Sequence, residues 1–143
     1  MARDTKKIDA KGRFFIPTKF KEAIGDKLVV TNGLDDGYLC VYTMATFDHI
    51  KEQLRGMNSV KPDVRKMRRT IVGEALEVSI DSQGRISVSS ELWERIGAKP
   101  GDEICVFNIE DKLDICTKAH YDSENHSLSS ILNSDDSYFV EGL

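Results

Sequence analysis

The residues of this chain that are best suited to binding chemistry lie in a short motif that occurs twice. In the first copy Asp9, Gly12 and Arg13 follow at fixed spacing, and the same three types recur seventy-two positions later. The second copy consists of Asp81, Gly84 and Arg85. An Asp at this place can accept N–H bonds within a turn, Gly supplies a positive φ, and Arg offers a planar fork of donors. Such an Arg can pair with a carboxylate, with phosphate or with the edge of guanine, so the motif indicates anion recognition.

The residues of the two motifs divide into a structural group and a binding group. The structural group, which we expect to shape the turns, is Asp9, Gly12, Asp81 and Gly84. Lys11 and Arg13 carry the positive charge of the first turn and are the first candidates for contacts with an anionic partner. Arg85 ranks after Arg13, because Gln83 stands where the first turn has a lysine.

Charge is distributed unevenly along the chain, although the net value is only −4. Residues 1–80 carry 15 Lys and Arg against 11 Asp and Glu, whereas residues 81–143 carry 5 against 13. One basic cluster supplies candidate DNA contacts at Arg3, Lys6, Lys7, Lys11 and Arg13. A second cluster supplies candidate phosphate contacts at Arg65, Lys66, Arg68 and Arg69. Because neutralised phosphates release counterions, two such clusters favour a surface that binds a polyanion. The alternative for each cluster is a solvated charged face.

Other classes of function find no support in the sequence. No nucleophile beside a base, no pair of carboxylates arranged for catalysis and no metal-ligand spacing is visible, so we predict no catalytic residue, metal, cofactor or small-molecule substrate. Cys40, Cys105 and Cys116 stand among β-branched or aromatic neighbours, which predicts reduced core thiols in a cytoplasmic protein. No apolar run approaches the roughly 18 residues of a membrane helix, so we expect no membrane partner.

Two copies of one supersecondary unit must hold these turns. Eight residues are identical in one ungapped register between the copies, four of them beyond the turn. Each copy predicts a strand, the turn, a second strand, a short helix and a β-hairpin. In the first copy we expect strands ending at Ile8 and spanning 13–16, a helix from Thr18 over Phe20 and Ile24 to Gly25, and strands over 27–32 and 38–42. In the second copy we expect strands over 77–80 and 85–88, a helix ending at Ile96, and strands over 103–108 and 112–117.

The segments between and after the copies have different patterns. Apolar residues at intervals of three and four predict a basic helical hairpin, first from Phe47 to Leu54 and then from Val64 to Ile71. From Ala119 the chain is polar, Ser-rich and acidic, which predicts a flexible tail. The predicted domains are therefore a first repeat at 1–45, the helical insert at 46–72, a second repeat at 73–118 and the tail at 119–143.

The repeated motif, with its flanking residues, resembles the paired signatures of a known family. Asp9-Ala10-Lys11-Gly12-Arg13 is followed by Phe14-Phe15-Ile16-Pro17-Thr18-Lys19-Phe20, and Asp81-Ser82-Gln83-Gly84-Arg85 is preceded by Gly73-Glu74-Ala75. Over roughly residues 6–118 the chain resembles the MraZ family of bacterial transcriptional regulators, within the AbrB and SpoVT swapped-hairpin superfamily. The resemblance implies an α+β, mainly β fold. Two tandem swapped-hairpin half-repeats would form one pseudo-twofold β-barrel-like unit with an inserted helical hairpin.

The same resemblance implies a function. Members of the MraZ family are DNA-binding regulators that generally repress their own division and cell-wall operon. They bind short direct repeats in its promoter as ring-like homo-oligomers, and some associate with the nucleoid. By this resemblance Lys11 and Arg13 would face DNA, with Arg85 as their equivalent in the second turn, and the protein would be cytoplasmic and nucleoid-associated.

Two other hypotheses stay open at this point. An AbrB-like or antitoxin-like regulator would also bind DNA, but such chains usually carry one hairpin copy, whereas both copies are present here. A protein of another class, a non-DNA oligomeric interaction scaffold, would bind a protein partner through its acidic second half. Binding to DNA distinguishes the scaffold from both regulators.

Overall fold

The computed structural model describes residues 1–22, 25–133 and 138–143. In these ranges each repeat contributes four strands: β1 (Arg3–Lys7), β2 (Arg13–Phe15), β3 (Lys27–Asn32), β4 (Leu39–Thr43), then β5 (Leu76–Ser79), β6 (Arg85–Ser87), β7 (Glu103–Ile109) and β8 (Lys112–Thr117). The helices are α1 (Thr18–Glu22), α2 (Met44–Arg55), α3 (Pro62–Met67), α4 (Ser90–Arg95), α5 (Lys118–Ser123) and α6 (Ser129–Leu132). The predicted strands are confirmed to within one residue at each end.

The helical insert differs from its prediction in one segment. α2 and α3 form as expected, but beyond Met67 the chain continues as a π-helical segment, Arg68–Gly73, where a regular α-helix was predicted. Side chains of the sheet bond to carbonyl groups of this segment, since the Asn32 amide donates to the Thr70 carbonyl at 2.9 Å. Carbonyls engaged in this way favour a widened turn over regular α-helical pairing. The predicted place of Ile24 on α1 lies outside the described residues.

The first strand of each repeat pairs with the other repeat. Six antiparallel strands form one sheet in the order β1-β7-β8-β4-β3-β5, while β2 and β6 form a separate two-stranded ribbon. β1 pairs with β7 of the second repeat, and β5 pairs with β3 of the first. Exchanging the two repeats leaves the strand order unchanged, so the arrangement is pseudo-twofold, with the β4–β8 pair at its centre.

The sheet is open at both ends. β1 and β5 form its edges, and within the described part of the chain no pairing joins them. The expected β-barrel-like closure is therefore not found. The three-residue strands β2 and β6 pair with each other instead of extending the sheet, so the ribbon forms a layer of its own.

One face of the sheet, called the core face, carries the main hydrophobic core. Side chains alternate along each strand, which places Val30 of β3 and Val106 of β7 on this face. The ribbon covers them with Phe14 and Ile86, which stand directly opposite each other in its register. Trp93 of α4 completes the layer and is only 2% exposed. The ribbon, α1 and α4 thus form one side of the protein.

The opposite face, called the helix face, is covered by the insert and by α5. Tyr42 of β4 packs against Phe47 of α2 with ring centroids 6.0 Å apart. Phe107 of β7 packs against Tyr121 of α5 with centroids 5.2 Å apart. The sheet therefore separates the two ribbon turns from the helical insert.

Gly12 offers a direct test of the first turn. Its φ is 78°, and an added Cβ would lie 3.0 Å from the Val88 carbonyl oxygen, whereas Gly97 has φ 70° with nothing within 4 Å. Left-handed φ costs a non-glycine residue about 1–2 kcal/mol in either place, and only Gly12 adds a backbone clash. We expect Gly12→Ala to lower the free energy of unfolding by more than Gly97→Ala, measured by urea denaturation. Equal losses would show that the close approach is unimportant.

Candidate nucleic-acid interface

One carboxylate organises the first turn. Oδ1 of Asp9 accepts the backbone N–H groups of Lys11 and Arg13, both at 2.9 Å. Oδ2 accepts the side-chain Nε–H of Arg13 at 2.8 Å. The Gly12 N–H donates to the Asp9 carbonyl at 3.0 Å and closes the turn. The backbone and the arginine are thus fixed by the same side chain.

The second turn repeats this geometry bond for bond. Oδ1 of Asp81 accepts the N–H groups of Gln83 and Arg85 at 2.9 Å, and Oδ2 accepts Arg85 Nε–H at 2.8 Å. In both turns the backbone N–H of the arginine, more than any other group, lowers the pKa of the aspartate carboxyl. Both turns therefore favour the ionised carboxylate.

The two arginines differ in what remains available to a partner. Within the described residues, the Nη groups of Arg13 have no hydrogen-bond acceptor, and its side chain is 28% exposed. The side chain of Arg85 is 17% exposed, and its Nη1 lies 3.9 Å from Oδ2 of Asp9. Its guanidinium also lies 5.8 Å from the ring centroid of Phe15. Arg85 thus links the two turns, while Arg13 presents donors to solvent.

The ribbon presents its outer side chains between the turns. Arg13 stands opposite Ser87, and Phe15 stands opposite Arg85. The ring of Phe15 is 48% exposed although the neighbouring Phe14 is buried. The outer surface of the ribbon therefore combines arginine donors with one exposed aromatic ring.

The other predicted contacts of the first cluster divide between the two faces. Lys6 lines a groove of about 610 Å³ beside the start of α1, and Lys7 lines a groove of about 570 Å³ together with Phe15. The groove at Lys6 is lined by β1 and the start of α1 and by no residue of the turn, whereas Lys7 adjoins the first turn. Arg3 does not, because its guanidinium lies 5.3 Å from the ring centroid of Tyr121 on the helix face. The structure brings Lys7 to the turn surface, places Lys6 beside the start of α1 and places Arg3 on the helix face.

Two of the four basic residues predicted as phosphate contacts in the insert bond to backbone carbonyls. Arg68 donates to the carbonyls of Leu54, Arg55 and Met57, and so caps the carboxyl end of α2. The loop before α3 is held in the same way. Arg65 donates to the carbonyls of Ser59 and Val60.

The remaining two, Lys66 and Arg69, are exposed. Arg69 lines a groove of about 510 Å³ whose walls include Lys51 and the apolar Leu54. This groove belongs to the insert, which covers the helix face, so the second cluster and the ribbon turns do not form one continuous surface.

Trp93 makes a contact with the first turn that the sequence did not reveal. Its indole Nε1–H donates to the Gly12 carbonyl at 3.0 Å, and its ring meets Phe14 edge-on at 5.8 Å. The only sequence signal was a tryptophan in one repeat where the other has Lys21. A side chain of the second repeat therefore holds the turn of the first repeat by a hydrogen bond.

The described residues contain no group of three or more His, Cys, Asp or Glu side chains that could hold a metal ion. Cys40, Cys105 and Cys116 are buried free thiols. Burial, assisted by a bond to Asp114, raises the pKa of Cys40 to about 12, and burial raises the pKa of Cys116 to about 11. Both are therefore protonated thiols at neutral pH. In the part of the chain that the structure describes, no helix is long and apolar enough to span a membrane.

The predicted tail begins with a packed segment. The Thr117 hydroxyl caps α5 by accepting the His120 N–H at 3.0 Å, and Tyr121 lies between Phe107 and His126. The structure therefore gives the first residues after 118 a defined place on the helix face. The flexibility of the tail stays a prediction, and its Asp135-Asp136 pair lies outside the described residues.

The fold and these turns define a class of protein. It is a mixed α/β protein built mostly of antiparallel strands. A duplicated β-turn-β unit presents two arginines on one ribbon, and each is held by the carboxylate of an aspartate, an arrangement called the aspartate clamp. A family model described as "MraZ protein, putative antitoxin-like" matches residues 1–70. The chain belongs to the MraZ family, as its similarity to curated proteins shows.

Three of these relatives carry the name "Transcriptional regulator MraZ". The protein of Acetivibrio thermocellus is 33% identical over 128 residues, which cover 87% of each chain. That of Caldanaerobacter subterraneus subsp. tengcongensis is 35% identical and covers 84% of this chain and 82% of its own. That of Thermoanaerobacter sp. is 37% identical and covers 78% and 76%. The solution structure of PHS018 from Pyrococcus horikoshii, at 13% identity over 81% of this chain and 87% of that one, gives a TM-score of only 0.32.

The aspartate clamps predict a dependence of stability on pH. Because the folded state lowers the pKa of Asp81 below 3.8, its contribution is complete above that value and is lost as pH falls through the folded pKa. We expect Asp81→Asn to lower the melting temperature at pH 7, and the gap from the unmodified protein to narrow below pH 3.8. Asp36→Asn, at an exposed side chain, serves as control. A gap independent of pH would contradict this account.

The carbonyl cap at the end of α2 predicts a contrast between neighbouring arginines. Arg68→Ala removes the side-chain donor of three carbonyls, of which that of Leu54 keeps the Met57 N–H, so we expect the free energy of unfolding to fall by about 1–3 kcal/mol. Arg69→Ala, which removes the same charge from an exposed side chain, should change it by less than about 0.5 kcal/mol. Urea midpoints of both variants test the contrast, and similar losses would assign Arg68 no special structural role.

Proposed function

We propose that this chain is a transcriptional regulator that binds double-stranded DNA through the paired turns and the β2–β6 ribbon. The observation that carries the proposal is the state of Arg13, whose Nε is bonded to Asp9 while its Nη groups have no acceptor among the described residues. A guanidinium fixed in this way is preorganised to donate to phosphate or to guanine. The names of the three relatives, each a transcriptional regulator, support the same proposal.

The shape of the ribbon suits the major groove. A two-stranded β-ribbon fits into this groove of B-DNA, where every base pair presents a distinct pattern of donors and acceptors. The outer residues of the ribbon are Arg13, Phe15, Arg85 and Ser87. Arginine can read guanine, serine can donate or accept, and an exposed phenylalanine can contact the methyl group of thymine. The ribbon therefore offers base contacts, and the surrounding lysines offer phosphate contacts.

The number of contacts per chain argues for several copies acting together. The first cluster offers only Lys6, Lys7, Lys11 and one available arginine as positive groups, so a single chain would bind modestly and with strong dependence on salt. When several copies in one assembly meet repeated sites, later contacts become intramolecular, and avidity rises by roughly 10² to 10⁴. We therefore propose a ring-like homo-oligomer on short direct promoter repeats, as membership of the MraZ family implies.

Membership of the family also extends the proposal to the regulated genes. The chain would repress its own division and cell-wall operon and act in the cytoplasm on the nucleoid. The presence of both turn copies in one chain favours this over an AbrB-like or antitoxin-like regulator that assembles two copies from two chains. The interaction scaffold is the hypothesis that remains if DNA binding fails.

Two double variants with equal loss of charge test which surface binds DNA. Lys11→Ala/Arg13→Ala alters the first turn, and Lys66→Ala/Arg69→Ala alters exposed residues of the insert on the other face of the sheet. We expect the turn variant to weaken binding at least about tenfold and to reduce the salt slope by about two, because both base and phosphate contacts are lost. The insert variant should bind nearly as well as the unmodified protein.

Fluorescence anisotropy against a labelled duplex from upstream of the chain's own gene measures both effects, with a shuffled duplex as control and two salt concentrations. A melting temperature for each variant shows that the fold is retained. A loss confined to the insert variant would move the interface to the helix face. Absence of binding by the unmodified protein to either duplex would contradict the proposal and favour the scaffold.

A further inference from the structure

The two turns have the same backbone hydrogen bonds but different side chains at their tips, Lys11 in the first turn and Gln83 in the second. The N–H of Lys11 and the N–H of Gln83 each donate to Oδ1 of the clamping aspartate at 2.9 Å. Both residues are exposed, and neither side chain has a hydrogen-bond partner among the described residues. The pseudo-twofold fold therefore places a lysine and a glutamine at equivalent positions on one ribbon.

The residues that flank the two turns also differ in charge, and the first repeat is the more positive. Three further lysines of the first repeat, of which Lys7 adjoins the turn, have uncharged or acidic equivalents seventy-two positions later. The pairs are Lys6 and Val78, Lys7 and Ser79, and Lys19 and Glu91. Positive charge that can pair with phosphate is thus concentrated in the first repeat, although the bonds that shape both turns are identical.

The chemistry of the tips distinguishes two bases. A lysine donates to the O6 and N7 acceptors of guanine, whereas a glutamine amide accepts from N6 and donates to N7 of adenine. If both tips were lysines, a pseudo-twofold ribbon would read the same base at each end and favour a palindrome. With a lysine at one tip and a glutamine at the other, the two ends of the ribbon no longer read the same base.

We propose that the two turns read different bases, Lys11 reading guanine and Gln83 reading adenine, so that each chain binds a non-palindromic DNA element in a single orientation. The lysine-rich first repeat carries most of the phosphate contacts and fixes that orientation. The inference rests on the proposed function and adds a specificity-determining residue to it. If neighbouring chains bind one after another along the duplex in the same orientation, their binding sites must also point in the same direction. This gives a physical reason for direct repeats.

Selection from a randomised pool of double-stranded DNA tests the inference. The full-length protein is compared with Gln83→Lys, Gln83→Ala and Lys11→Gln, and bound duplexes are sequenced. We expect the unmodified protein to select an asymmetric element with guanine at one end and adenine at the other. Gln83→Lys should replace the selected adenine by guanine, and Lys11→Gln should replace the selected guanine by adenine, each with a preference on the order of tenfold.

Affinity measurements separate base reading from general attraction. Gln83→Ala should lose the adenine preference and keep its salt slope, whereas Gln83→Lys should increase that slope by about one. Ser82→Ala, at an exposed residue of the same turn, should leave the selected sequence unchanged.

The possible failures are distinguishable. A sequence preference that is the same in all Gln83 variants, or a palindromic element selected by the unmodified protein, would overturn the inference while leaving DNA binding intact. Equal enrichment of all sequences by the unmodified protein would overturn the inference and restrict the proposed function to sequence-independent binding. No enrichment and no binding would overturn both.

Discussion

In each turn one aspartate carboxylate accepts two backbone N–H groups and one arginine Nε, and these three bonds fix the turn and its guanidinium together. Without the carboxylate, the arginine would be a long surface side chain with many rotamers, and ordering it on a partner would cost conformational entropy. The contact between Arg85 and Asp9 joins the two clamps into one unit. The hydrogen bonds and ion pairs of the two aspartates thus hold the two arginines in fixed positions.

The exchange of strands between the repeats brings the two clamps together. Since β1 pairs with β7 and β5 pairs with β3, neither repeat can complete its part of the sheet alone. The ribbon strands β2 and β6 then meet above the core face, with Phe14 against Ile86 at their centre. The packing of the main core therefore also sets the relative position of the turns, and a change that loosens the core would also separate the turns.

The sequence predicted most of what is local. The repeated motif, the strand pattern and the helical intervals gave the elements closely, because glycine placement and apolar alternation act over a few residues. It could not give the lock of Trp93 on Gly12, the stacking of Arg3 on Tyr121 or the carbonyl cap made by Arg68, since each joins residues far apart in the chain. The open sheet replaced an expected barrel because closure depends on strand lengths and register. The roles of individual turn residues on DNA stay predictions.

The chain contains a single tryptophan, and that residue donates its indole N–H to the carbonyl of Gly12 in the first turn. Indole emission depends strongly on the polarity and hydrogen bonding of its surroundings. The tryptophan emission of this protein therefore comes from one buried side chain, whose indole N–H donates to the first turn. Any event that displaces the turn will alter the light the protein emits, without a label and without a second tryptophan to obscure it.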